Sequence, residues 1–256
     1  MVQHSGLGQT LLVAMLLMTG CSTSLPQGVV KYEKALKELP GPMPGFGPSQ
    51  SRLEALLKAC PFLLSLPNAV ASSQVQDDSS YDPSWYRSTE YCAWIYYTPD
   101  KSYEMSWIAT PEHQMDPGTR RCALPISVRD DRHPREHIQY VSAIHTHPIP
   151  GNDRDKRSKL SEGDIKYIIR RSQQYGGTFT NSDGTVNLAI VAFFRRVGQD
   201  RAICNNFYEY APATGELQEW TLNARKEWQS KVYGRVKHWW NPQGGLEFEL
   251  IVKEGK

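Results

Sequence analysis

Ile138-Gln139-Tyr140-Val141-Ser142-Ala143-Ile144-His145-Thr146-His147-Pro148 is the stretch on which the reading of this chain turns. Its β-branched and aromatic residues predict a strand from Ile138 to His145, which Pro148 terminates. Side chains alternate along a strand, so His145 and His147 project from one face, and Ile144 and Thr146 from the other. Two imidazoles side by side can chelate a transition metal, with zinc the default choice. A surface histidine pair with no metal is the alternative. Ending at Pro148 leaves both histidines at the rim of a sheet, where a substrate could arrive.

Moving downstream, Asp164 to Gln174 reads as a helix, with Leu160-Ser161-Glu162-Gly163-Asp164-Ile165 at its start. Ser161 is a natural N-cap, and Asp164 three residues later completes a capping-box-like arrangement. The same serine and aspartate can also face a cation held by the preceding strand. Asn187 to Arg196 reads as a long apolar strand, paired with Ala202 to Tyr210 across Gly198-Gln199-Asp200. Upstream, Tyr91 to Tyr97 and Tyr103 to Ala109 form a hairpin around Pro99-Asp100-Lys101. Leu53, Leu56, Leu57 and Cys60 recur at helical spacing, so Ser51 to Cys60 reads as a helix, capped by Ser49 or Ser51 and stopped by Pro61. Trp220, Ala224, Trp228, Val232 and Val236 predict an amphipathic helix over Glu216 to Trp239, its tryptophans packing on the sheet. Leu246 to Val252 alternates like a final edge strand. The expected fold class is α/β, a mixed curved sheet flanked by helices.

The 256 residues suffice for one sizeable domain with appendages, and 39% apolar against 22% charged residues supports a buried core. Lysine and arginine number 29 against 27 acidic residues, a net charge of +2 that makes no electrostatic case for nucleic acid. The one long apolar run is Leu11 to Met18, too short to span a bilayer, followed by Thr19-Gly20-Cys21. A short apolar core ending in small residues fits a secretory signal peptide over 1–20. Leu17-Met18-Thr19-Gly20-Cys21 resembles the lipobox of bacterial lipoproteins, which implies acylation of Cys21 and a membrane anchor; Ser22 resembles the pattern sent to the outer membrane. Residues 21–50 then read as a tether, given the Pro40-Gly41-Pro42-Met43-Pro44-Gly45-Phe46-Gly47-Pro48 run, with a short helix conceivable from Lys31 to Leu39. Acylation also accounts for the odd count of five cysteines. Cys60, Cys92, Cys122 and Cys204 remain, with three pairings open. Residues 51–84 read as a helical extension, 85–212 as the domain holding the histidines, and 213–256 as a helix and strand packed on it.

His-Thr-His-Pro followed by Ser-x-x-Asp resembles the core motif of the JAMM (MPN-type) zinc metalloproteases, especially bacterial JAMM-like domains at the ends of RHS-type polymorphic proteins. The resemblance runs from about Ser88 to Tyr210. It implies a JAMM/cytidine-deaminase-like core, with zinc held by His145, His147 and Asp164. It also requires a glutamate on an earlier strand followed three residues on by a small residue, a place that Glu90-Tyr91-Cys92-Ala93 fits. Glu104 is the competitor, and Glu112 and Glu136 rank lower. By the same resemblance Glu90 acts as general base and Ser161 donates to the oxyanion. Thirteen residues separate His147 from Ser161, more than is usual in the family, and Asp153 and Asp155 in that insert compete with Asp164 as ligand. The basic residues of the insert belong to a solvated loop or guide an anionic substrate. His113, His133 and His137 read as exposed, and His238 as lying near a helix end. Cys92 shares Glu90's strand face, as a disulfide or core cysteine or a zinc-proximal thiol. The resulting expectation is a lipid-anchored extracytoplasmic zinc peptidase or isopeptidase of the bacterial envelope acting on a peptide or protein. A non-enzymatic envelope lipoprotein with a metal-binding or vestigial site is the alternative. A nucleobase deaminase would need a cysteine-pair motif that is absent here.

Overall fold

The computed structural model describes residues 25–32, 36–69, 88–111, 122, 124–148, 160–182, 184–194 and 204–252. Four strands fix the centre of the architecture: β3 (Cys92–Tyr97), β7 (Gln139–Thr146), β10 (Ala189–Phe193) and β11 (Asn206–Ala211). Nearly every residue in them is buried, which demands cover on both faces of the sheet. Helix α1 (Arg52–Leu64) lies over one face and α2 (Glu162–Tyr175) over the other. The chain is therefore a mixed α/β protein built around one large sheet.

That sheet has ten strands among the described residues. Its order is β1 (Val29–Tyr32), β5 (Ile108–Pro111), β3, β7, β10, β11, β12 (Glu216–Leu222), β13 (Trp228–Trp240) and β14 (Leu246–Val252), with β4 (Tyr103–Met105) paired to β3. Strands β7 and β10 are parallel and joined through α2, while β3 and β7 are antiparallel. Two small ribbons complete the fold: β2 (Glu38–Gly41) with β6 (Ser127–Asp130), and β8 (Thr178–Asn181) with β9 (Gly184–Asn187). The expected hairpin, the Ile138–His145 strand and the edge position of Leu246–Val252 correspond to β3–β4, β7 and β14.

Helix α1 starts where its serine predicts. Ser51 is the N-cap and its hydroxyl accepts the Glu54 N–H at 3.2 Å. Pro61 does not stop the helix, which continues to Leu64. Proline forfeits one backbone hydrogen bond, but Leu63 and Leu64 are almost fully buried. Burying two leucines contributes roughly 1.5–3 kcal/mol each, enough to carry the helix one more turn.

The stretch expected as a tether is structured where it is described. Residues 29–32 and 38–41 are strands rather than a short helix, and β1 extends the large sheet by pairing in parallel with β5. Within the Pro-Gly run Met43 and Phe46 are buried, and Ser49 bridges to Tyr103. Pro and Gly exclude helix there, but they leave the chain free to lie against an apolar surface.

The expected helix over Glu216 to Trp239 is corrected to β12 and β13 of an antiparallel meander. Apolar residues spaced by four serve a strand as well as a helix, because four is two full strand periods. Turn chemistry decides the matter. The Asn223 side-chain oxygen accepts the N–H groups of Arg225 and Glu227, and Lys226 sits at φ 63°. Trp220 and Trp228 do pack on Phe207 of the sheet, whereas Trp239 and Trp240 are exposed. His238 lies on β13, not at a helix end.

Two disulfides resolve the pairing: Cys60–Cys204 ties α1 to the segment before β11, and Cys92–Cys122 ties β3 to the segment before β6. Residues 1–24, which include the apolar run and Cys21, lie outside the described residues. Among those described, no helix is long and apolar enough to cross a membrane.

Candidate metal centre

Strand β7 carries His145 on the face covered by α2, between Cys92 of β3 and Ala192 of β10. Thr146 turns to the opposite face, where its Oγ1 accepts the Tyr91 N–H at 2.9 Å; its own N–H donates to the Tyr91 carbonyl, also at 2.9 Å. The His147 N–H donates to the Phe193 carbonyl at 2.7 Å. Both histidines are thus pinned by neighbouring strands, and their rings lie 5.7 Å apart at 77°.

The parallel crossover from β7 brings the first turn of α2 back over this rim, as α/β topology places helix starts at strand ends. Ser161 caps the helix and its capping box is complete. The Ser161 backbone N–H and hydroxyl both donate to Asp164 Oδ2, at 2.8 and 2.7 Å, and the Asp164 N–H donates to Ser161 Oγ at 3.2 Å. With Oδ2 occupied, Oδ1 is turned to the histidines and stands 3.6 Å from His145 Nε2.

His145, His147 and Asp164 therefore form a group that can hold a metal ion, their ligand atoms all within 4.8 Å of one another. Atoms bound tetrahedrally at about 2.0–2.2 Å to one ion lie roughly 3.3–3.6 Å apart, a spacing that His145 Nε2 and Asp164 Oδ1 already have at 3.6 Å. The group therefore closes on an ion through side-chain movements of no more than about 1.5 Å. His145 Nε2 is buried and makes no hydrogen bond, which leaves its polar atom directed at the place an ion would fill. Burial alone would raise the Asp164 pKa. The adjacent His145 and His147 and the Ser161 hydrogen bonds outweigh it and hold the carboxyl below its ordinary value, in the charged form a cation requires.

Glu90 comes to the same rim. Cys92 pairs with His145 and Tyr91 hydrogen-bonds with Thr146, so continuing this antiparallel register by one residue would set Glu90 opposite His147. Glu90 is half-buried, and its Oε2 accepts the Cys122 N–H at 2.8 Å. That contact left no trace in the sequence, because Cys122 is 32 residues away and its partner cysteine could not be chosen.

The competing residues lie elsewhere. Glu104 is opposite Tyr96, six residues along β3 from Glu90 or about 20 Å. It is buried there with Arg132 Nη2 at 2.9 Å. Glu136 is exposed in a short 3-10 turn at the far end of β7. Glu112, His113, Asp153 and Asp155 fall outside the described residues. His137 is exposed as expected, but the His133 side chain is only 8% exposed and lies 3.5 Å from Asp100. Cys92 is in a disulfide, so it offers no thiol. The Ser161 hydroxyl proton is engaged by Asp164, which makes Ser161 a positioner of the carboxylate in this arrangement. No family model matches the chain, and neither does any curated protein or solved structure.

Proposed function

We propose that this chain is a zinc-dependent peptidase or isopeptidase of the JAMM type, anchored by a lipid on Cys21 and working outside the cytoplasm on a peptide or protein. The observation that carries this reading is the convergence of three ligand side chains from the end of β7 and the first turn of α2. The place of Glu90, two residues before Cys92, the β3 partner of His145, supports it. His145, His147 and Asp164 would hold the zinc. When bound, zinc supplies Lewis acidity toward a carbonyl and lowers the pKa of a water.

The protein's own groups supply the rest. Glu90 accepts the proton of the attacking water and delivers it to the departing amine, a task that needs a carboxylate fixed beside the ligands. The Ser161 backbone N–H and hydroxyl orient Asp164. For the Ser161 hydroxyl also to donate to an oxyanion, it must rotate away from Asp164 Oδ2 as substrate arrives. The two disulfides accord with an oxidising compartment, which is where a lipid-anchored envelope protein would work.

Metal analysis paired with one substitution tests the proposal. Purified protein should contain about one zinc, and Glu90→Gln should keep the metal while hydrolysis falls by about 10²–10⁴-fold. Loss of zinc in Glu90→Gln together with its retention in His145→Ala would overturn the assignment. Stoichiometric zinc with no turnover on any peptide would favour a metal-binding envelope protein.

A further inference from the structure

We propose that the Cys92–Cys122 disulfide is a positioning device for the Glu90 carboxylate, a proposal that rests on reading Glu90 as the proton acceptor. Three contacts form a closed circuit. Glu90 Oε2 accepts the Cys122 N–H at 2.8 Å; Cys122 is bonded through sulfur to Cys92; and Cys92 lies two residues beyond Glu90. Cys92 is also the residue paired with His145 across β3 and β7. The covalent link therefore holds the amide donor in register with the metal ligand and the base together.

Both partners sit at the margin of the regular structure. Glu90 precedes the first residue of β3, and Cys122 belongs to no strand or helix. A glutamate has a large rotamer entropy to lose, roughly 1.5–2 kcal/mol, so how well the Cys122 amide restrains it depends on how firmly Cys122 is held. On the C-terminal side of Cys122 the segment is held by buried Leu124 and by the Pro125 carbonyl, which accepts the Trp94 indole N–H at 3.0 Å. The disulfide supplies the hold at Cys122 itself. Displacing a catalytic group by about 1 Å is enough to cost ~10²-fold in rate, so this hold bears directly on turnover.

Hydrogen exchange at the amide of position 122, followed by NMR in the full chain without substrate, tests the contact. Glu90→Ala with both disulfides intact should speed that exchange about tenfold or more, and so should Cys92→Ala/Cys122→Ala. On a quenched-fluorescent peptide library, the double variant should lose kcat by about tenfold or more, with KM changed less than about twofold and zinc still near one per chain. Removal of the other bridge, Cys60→Ala/Cys204→Ala, should lower thermal stability without this split between kcat and KM. Exchange at position 122 that is the same in the wild type and Glu90→Ala would overturn the proposal. So would kcat and exchange that survive loss of the Cys92–Cys122 bridge. A wild type that takes up no zinc and cleaves nothing would instead sink the peptidase reading, and the exchange measurement would still decide whether the bridge positions Glu90.

Discussion

Replacing Ser161 by alanine separates the two jobs this residue performs, capping a helix and orienting a metal ligand. The hydroxyl accepts the Asp164 N–H, and losing such an N-cap costs about 1 kcal/mol whether or not metal is present. The same hydroxyl donates to Asp164 Oδ2 at 2.7 Å, the contact that turns Oδ1 toward His145. Deleting a partner that orients a ligand lowers metal affinity by about 10–100-fold, or roughly 1.4–2.7 kcal/mol. Ser161→Ala should therefore lose about 1 kcal/mol in chelator and roughly 2.4–3.7 kcal/mol with zinc held well above the weakened Kd. Urea unfolding in the two conditions gives both numbers, and competition with a chromophoric chelator gives the zinc Kd directly. Ser161→Thr keeps a hydroxyl and should stay close to the wild type. If Ser161→Ala loses the same stability with and without zinc, and its zinc Kd is unchanged, the orienting role is wrong and Ser161 is only a cap.

Three further expectations concern the frame around the site. Asp130 is buried, which by itself raises its pKa, but hydrogen bonds from Arg132 and Tyr96 bring it down from 3.8 to about 2. Its folded-state pKa is depressed, so its contribution, on the order of 2 kcal/mol, is complete above pH 4 and disappears as pH falls through about 2. Asp130→Asn should melt earlier than the wild type at pH 7 and match it at pH 2, and equal melting temperatures at pH 7 would refute this. Leu63 is fully buried on the inner side of α1, so Leu63→Ala should cost about 2–5 kcal/mol in denaturant unfolding, with zinc content unchanged. The Cys60–Cys204 bridge spans 144 residues, and its removal should cost about 2–5 kcal/mol, no less than removal of the 30-residue Cys92–Cys122 bridge. The reverse ranking in calorimetry would contradict the loop-closure argument.

Local patterns were enough to place β7, the α2 cap and the β3–β4 hairpin, because alternation, N-cap chemistry and turn residues act over a few neighbouring positions. The same patterns put His145 and His147 on one strand face and Asp164 at a helix start, and the resemblance to the JAMM motif is what groups the three as one ligand set. Where local rules admit two answers, the sequence could not choose. Apolar spacing of four across Trp220 to Val236 fits helix and strand alike, and the Asn223 turn together with the sheet edge beside β11 makes it strand. Pro61 has the chemistry of a helix stop, yet the apolar surface receiving Leu63 and Leu64 overrode it. The Pro-Gly run reads as open linker until β6, the Met105 carbonyl of β4 and the core beneath Met43 and Phe46 are in place to receive it. The disulfide pairing and the Cys122 amide on Glu90 depend on residues 30 or more apart coming within a few ångströms. Such meetings are set by how the strands order in the sheet, a property of the whole packed chain that no short window of sequence contains.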